Sequence, residues 1–135
     1  MAIQRIDNAE KFEIEYPRCR EWLLEALKYS TNNIGENDLL NGLVERDYLL
    51  WTSDNAACVT SLTEWREKPV CVLFLIGGAK GKAMREILLE GQPIVEAYAQ
   101  EHSCAGLLGI GREQWAKVLK PFGFQTEGTI FYKGI

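Results

Sequence analysis

The chain has 135 residues, 47% of them hydrophobic and 25% charged, a balance that excludes a disordered or fibrous protein and is enough for a real core. At this length one domain over residues 1–135 is expected. The formal net charge of −4 argues against nucleic acid as a partner, because holding a phosphate backbone takes dense Lys and Arg surfaces.

No window approaches the roughly eighteen consecutive apolar residues of a membrane span, and "MAIQRIDNAE" lacks the apolar stretch of a signal peptide, so no membrane partner is expected and the chain is expected in the cytoplasm where it is made. Cys19, Cys58, Cys71 and Cys104 are far apart, without a C-x-x-C pair, and His102 is the lone histidine. That pattern predicts no metal site and no disulfide framework, but reduced, mostly buried thiols.

Taken in chain order, "AIQRID" predicts a short first strand. "PRCREWLLEALKYS" sets Trp22, Leu23, Ala26 and Leu27 on one stripe, an amphipathic helix with Pro17 in its first turn. Turn formers follow, and Leu39, Leu40, Leu43 and Val44 predict a second, shorter helix. "DYLLWT", "ACVTSLTEW" and "VCVLFLIGG", joined by "SDNA" and "REKP", predict three antiparallel strands. The apolar run Val70 to Ile76 belongs at the centre of a sheet. "AKGKAMREILLEGQPIVEAYAQEH" is helical, with a bend or break expected at Gly91 and Pro93. "CAGLLGI" predicts a strand, "REQWAKVLK" a helix stopped by Pro121, and "GFQTEGTIFYKGI" a final hairpin entered at Gly123. Trp115, Leu119, Phe122 and Phe124 are expected to close one side of the core.

The order is β-α-α-β-β-β-α-β-α-β-β, with mixed pairing because hairpins precede a strand-helix-strand crossover. This order and the closing "WAKVLKPFGF" resemble the GCN5-related N-acetyltransferase (GNAT) superfamily. The resemblance implies an α/β (α+β) fold: a mixed, mainly antiparallel central sheet flanked by helices. Within the superfamily, "VTSLTEW", "VLFLIGG", "PIVEAYAQEHSC" and "GREQWAKVLKPFGF" resemble small acetyltransferase-like proteins of the head and structural gene clusters of tailed bacteriophages.

In that superfamily a loop patterned Gln/Arg-x-x-Gly-x-Gly/Ala holds the CoA pyrophosphate on backbone amides at a helix start, where the dipole favours an anion. The resemblance maps it onto "GAKGKA". Gly81 and Ala83 keep the spacing, Gly78 stands where Gln or Arg is usual, and Lys80 and Lys82 add charge; a strand-to-helix turn with solvated lysines is the plainer reading of the same residues. The catalytic pattern is less complete. Acetyl transfer needs a base for the substrate ammonium and an acid for the leaving thiolate. Val70 to Ile76 contains no carboxylate, the superfamily's usual tyrosine is Leu119 here, and an asparagine often found earlier in that helix is Arg112. Glu64 or Glu67 as base and Tyr132 or Tyr98 as acid are the candidate substitutes, the plainer reading being solvated carboxylates beside a turn and packed rings.

These features predict an acetyltransferase-like phage protein that serves virion assembly or structure by binding a phage structural or host protein, without catalysis and with no required cofactor. An oligomer or virion component is compatible with that reading, located in the host cytoplasm or the virion. The alternative is an active N-acetyltransferase using acetyl-CoA on a protein or small amine. A third reading is a small-molecule or peptide binder using the cleft between Val70–Ile76 and Cys104–Ile110.

Overall fold

The structure, a computed structural model, describes residues 3–28, 34–79, 81–83, 86–110, 119–127 and 130–135. Its elements are β1 (Gln4–Ile6), α1 (Ala9–Lys28), α2 (Glu36–Val44), β2 (Leu49–Thr52), β3 (Ala56–Trp65), β4 (Lys68–Gly78), a π-helix (Glu86–Gly91) that runs into α3 (Gln92–Glu101), β5 (Gly106–Ile110), a 3-10 turn (Lys120–Phe122), β6 (Gln125–Glu127) and β7 (Ile130–Gly134). The strands form one seven-stranded sheet in the order β1-β2-β3-β4-β5-β7-β6. Every neighbouring pair is antiparallel except β4 and β5. This is the mixed, mainly antiparallel α/β arrangement expected. The helix expected over "REQWAKVLK", with Trp115 in it, falls largely outside the described residues.

Alternation along the strands builds two cores, because successive side chains point to opposite faces. Leu50, Ala57, Val59 and Leu75 pack with Tyr16, Cys19 and Leu23 of α1 and Leu39 and Leu43 of α2. Trp51, Cys58, Cys71, Leu107 and Phe131 pack on the other face with Leu88, Val95 and Ala99, closed by Leu119 and Phe124. All four cysteines are buried free thiols.

α1 begins eight residues before Pro17, not at it. Asn8 caps the helix, its Oδ1 accepting the Lys11 amide at 2.9 Å, and the buried stripe already starts at Glu15 and Tyr16. A proline inside a helix frees the carbonyl four residues earlier. Here that is Glu13, and both Glu13 and Pro17 lie on the exposed side, where water can satisfy the oxygen. The second helical segment changes where a bend or break was expected: a π-helix ends at Gly91, and α3 starts at Gln92 with Pro93 in its first turn. The wider turn absorbs the donor and the space that the proline ring denies to a regular helix. At Gly123 the expected turn is present, with φ at +90° leading into β6.

The β3–β4 hairpin turns through Arg66 (φ 51°) and Glu67 (φ 65°), between the paired Trp65 and Lys68. Two positive φ values make a type I′ arrangement, whose second position is normally glycine. Glu67→Gly is therefore expected to stabilise the fold by about 0.5–1 kcal/mol, the left-handed penalty being only partly offset by the freer unfolded chain. A urea midpoint that rises with an unchanged slope checks it. A midpoint that falls would show that the turn is unstrained.

Candidate functional site

The site originates in one extra residue of β4. Val59 of β3 pairs with Leu75, yet the next residue, Thr60, pairs with Leu73, so Phe74 is a β-bulge. Phe74 and Leu75 consequently both pack toward α1, whereas Leu73 and Ile76 pack toward α3. Bulges bend a strand and raise its twist. The parallel pairing of β4 with β5 runs from Val70↔Gly106 to Leu73↔Gly109 and stops at that point. Beyond it β4 stays with β3 as far as Gly78, whereas β5 runs one residue further, Ile110 pairing with Ile130 of β7. The strands therefore part like a V, closed at the Pro69 end, where the Ala105 amide donates to Pro69 O at 2.7 Å.

The loop leaving β4 sits at the mouth of the V. The Ala79 amide donates to Asn55 O at 2.7 Å, and the Lys82 and Ala83 amides both close on Ala79 O, at 3.1 and 3.0 Å. Gly78 is required here by close approach, since a Cβ would lie 2.5 Å from that of Ala83. Gly81 has φ +81° with open space where a side chain would be, and its amide makes no hydrogen bond among the described residues. Among the described residues of the loop, the amide open to an anion is thus that of Gly81, with exposed Lys82 beside it; the Ala83 amide is already used. Lys80 lies outside the described residues.

A buried polar network fixes this loop from behind. Glu86 accepts from Ser53 Oγ and Asn55 Nδ2, and from the Asn55 amide at 3.0 Å. Burial pushes its carboxyl up, but the donors from Ser53 and Asn55 outweigh that and hold it below the usual carboxylate range. On the other side of the same turn Glu15 accepts from Thr52 Oγ1 at 2.6 Å and from Arg18, whose guanidinium also reaches Ser53 O at 2.7 Å. Hydrogen bonding to Arg18 keeps Glu15 ionised against its burial. The β2–β3 turn is thereby clamped between α1 and the π-helix, and it presents Asn55 O to the loop.

Between the parted strands lies a cavity of about 150 Å³. Leu73 to Ile76 of β4, Gly109 of β5, and Leu119, Phe124 and Phe131 form much of its wall, and Gln92 of α3 is on it as well. None of its described lining residues is an Asp, Glu, His, Lys, Arg or Tyr. Cys58 is there, but burial pushes its thiol far up and keeps it neutral.

The candidate acids and bases stand elsewhere. Glu64 and Glu67 are exposed at the β3–β4 turn, roughly 15–25 Å along β4 from the bulge at about 3.3 Å per residue. Tyr132 packs at a tilt against Trp65, with ring centroids 5.0 Å apart, and its hydroxyl donates to Ala105 O at 3.4 Å, at the closed end of the V. Tyr98 packs edge-on against Trp51, and burial raises its phenol. The structure does not bring these four together. Leu119 is buried in the core beneath α3, and Arg112 lies outside the described residues. Sequence reasoning missed Glu86 and Gln92; the one available signal was a polar residue on the apolar side of a helix, as at "REILLEGQPIV".

No protein-family model matches the sequence, and no curated protein matches it. Solved structures do. The chain is similar to a probable acetyltransferase (TM-score 0.68, 14% identity, 94% of this chain and 91% of that one). It is similar to a chain of the NatC complex bound to Gag peptide and CoA (TM-score 0.70, 9% identity, 100% and 99%). It is also similar to a GNAT family acetyltransferase from Brucella melitensis in complex with acetyl-CoA (TM-score 0.64, 12% identity, 99% and 88%). The chain shares its fold with these structures, one of which is a GNAT family acetyltransferase. Among the described residues, no helix is long and apolar enough to cross a membrane.

Proposed function

We propose that the chain is a GNAT-fold protein that holds a CoA thioester at the parting of β4 and β5 and acts by binding a protein partner. On the resemblance to tailed-phage structural-cluster proteins, that partner is a phage structural or host protein met in the host cytoplasm or the virion. The observation that carries the reading is the stop in β4–β5 pairing at Leu73↔Gly109, which opens the sheet next to the Gly81 amide. A strand edge without a neighbour offers unpaired backbone groups to an extended ligand. An open amide with a lysine beside it suits a pyrophosphate. Two of the similar structures were solved with CoA or acetyl-CoA bound.

Calorimetry with acetyl-CoA tests this directly. Binding in the micromolar range is expected, weakened roughly tenfold by Lys82→Glu, which reverses the exposed charge beside Gly81. Absence of heat at millimolar acetyl-CoA overturns the reading. A pull-down with mass spectrometry from the native expression context then identifies the partner.

The second reading, acetyl transfer, is favoured by the same opening. It requires an acid and a base that the described cavity wall does not supply. Release of free CoA from acetyl-CoA at an enzyme-like rate with an amine acceptor would put this reading first.

A further inference from the structure

β3 has a free edge beyond the start of β2. The Ser53 amide donates to Ala56 O at 2.9 Å, so Ala56 turns its backbone toward β2, and in an antiparallel ladder every second residue does the same. Those residues are Cys58, Thr60, Leu62 and Glu64. The other side of the strand agrees. Pro69, the partner of Glu64, has no N–H, and its carbonyl accepts the Ala105 amide, so the backbone of Glu64 faces away from β4. β2 begins at Leu49, opposite Thr60. Before Leu49 the chain turns back to α2, the Tyr48 amide donating to Gly42 O at 3.0 Å. Among the described residues the N–H and C=O groups of Leu62 and Glu64 therefore have no strand beside them.

Proteins usually blunt such an edge by keeping it short or by placing Lys or Pro on it. The outer strands β1 and β6 are three residues each. Ser61–Trp65 holds neither Lys nor Pro, and Leu62 is 42% exposed. Between this edge and Arg46–Leu49 lies an open groove, lined also by Tyr98.

We propose that this edge pairs with the same edge of a second copy of the chain, antiparallel and centred on Thr63. The register follows from the side chains. Centred on Glu64, the pairing would set two carboxylates opposite each other. Centred on Leu62, it would need Thr60, which Leu49 already holds. Centred on Thr63, Leu62 lies opposite Glu64 of the second copy and exchanges both backbone hydrogen bonds with it; the two-fold axis repeats the exchange, and threonine meets threonine. Beyond Trp65 each hairpin tip, with Arg66 and Glu67, then points into the other copy's groove beside Arg46 and Asp47, one charge of each sign on both sides. The contact is self-complementary but small, so the dimer is weak. CoA plays no part in it.

Sedimentation equilibrium of the full chain from about 10 µM to about 1 mM is the test. The mean mass is expected to rise toward twice that of the chain. Thr63→Lys and Thr63→Glu each set like charges opposite one another at an exposed position. Each is expected to weaken the dimer at least about tenfold, and an equimolar mixture of the two variants is expected to restore it. A chain that stays monomeric to about 1 mM leaves the edge to a strand of a different protein and overturns the proposal. A dimer indifferent to either substitution, or a mixture that does not recover, overturns it as well. If a variant does not fold, amide exchange in the wild type decides. Exchange at Leu62 and Glu64 that slows with rising concentration supports the pairing, and exchange that stays constant there overturns it.

Discussion

Phe131→Ala is expected to cost about 3–5 kcal/mol of stability, the range for removing a buried aromatic ring from a core that relaxes only in part. Phe131 is 2% exposed and is among the largest fully buried side chains. It sits in β7 with Gly109 of β5 on one side and Thr126 of β6 on the other. Its ring packs in the core beneath α3 and also forms part of the cavity wall. The neighbour Gly109 has no side chain with which to fill the space, so the truncation merges with the existing cavity instead of collapsing. Urea unfolding measures the loss. Phe131→Leu, which keeps much of the volume, is expected to lose less. A cost below about 1 kcal/mol for the alanine variant would show that the ring is not part of the packed core.

Glu86→Ala is expected to cost about 2–3 kcal/mol, because it strands donors that are buried or half-buried. Ser53 Oγ has a second acceptor in Ala56 O at 3.5 Å, but among the described residues the Asn55 amide and Nδ2 have only Glu86. The effect extends beyond stability. Loss of Glu86 loosens the Ser53–Asn55 turn and, through Asn55 O, the Ala79 amide that starts the loop. Hydrogen exchange at Ala79 should accelerate more than at the centre of β3, and exchange that rises equally everywhere would refute a local anchor. The pH dependence has a definite sign. Because the folded carboxyl lies below its ordinary value of 4.5, its contribution is fully present above about that pH and disappears as pH falls through the lower folded value. Glu86→Ala should therefore flatten the acid limb of the stability curve.

How much of this was legible in the sequence depends on the range of the interaction. The apolar stretches "DYLLWT", "ACVTSLTEW" and "VCVLFLIGG" are local signals, and the strands were legible from them, although their faces were not. The helical stripe ending at Leu23 and Leu27 was equally clear, but the rule that places proline in a first turn hid the eight preceding residues. The capping Asn8 and the buried Tyr16 were the better guides. Phe74 could not have been singled out, since in a run that is apolar at every position a change of phase leaves no trace. Glu86 and Gln92 read as ordinary solvated helix residues because their partners, Ser53 and Asn55 for one and Phe122 for the other, are about 30 positions distant in the chain. The candidate base and acid residues were chosen by residue type, and type says nothing about which end of β4 a hairpin occupies.

The supernumerary phenylalanine in the fourth strand also separates two things that usually vary together. Because a register slip inside the sheet makes the cleft, the loop downstream does not have to hold it open. Shortening the strand by this single position would remove the slip that ends its pairing with the fifth strand, converting a receptacle into a plain scaffold with hardly a change in composition.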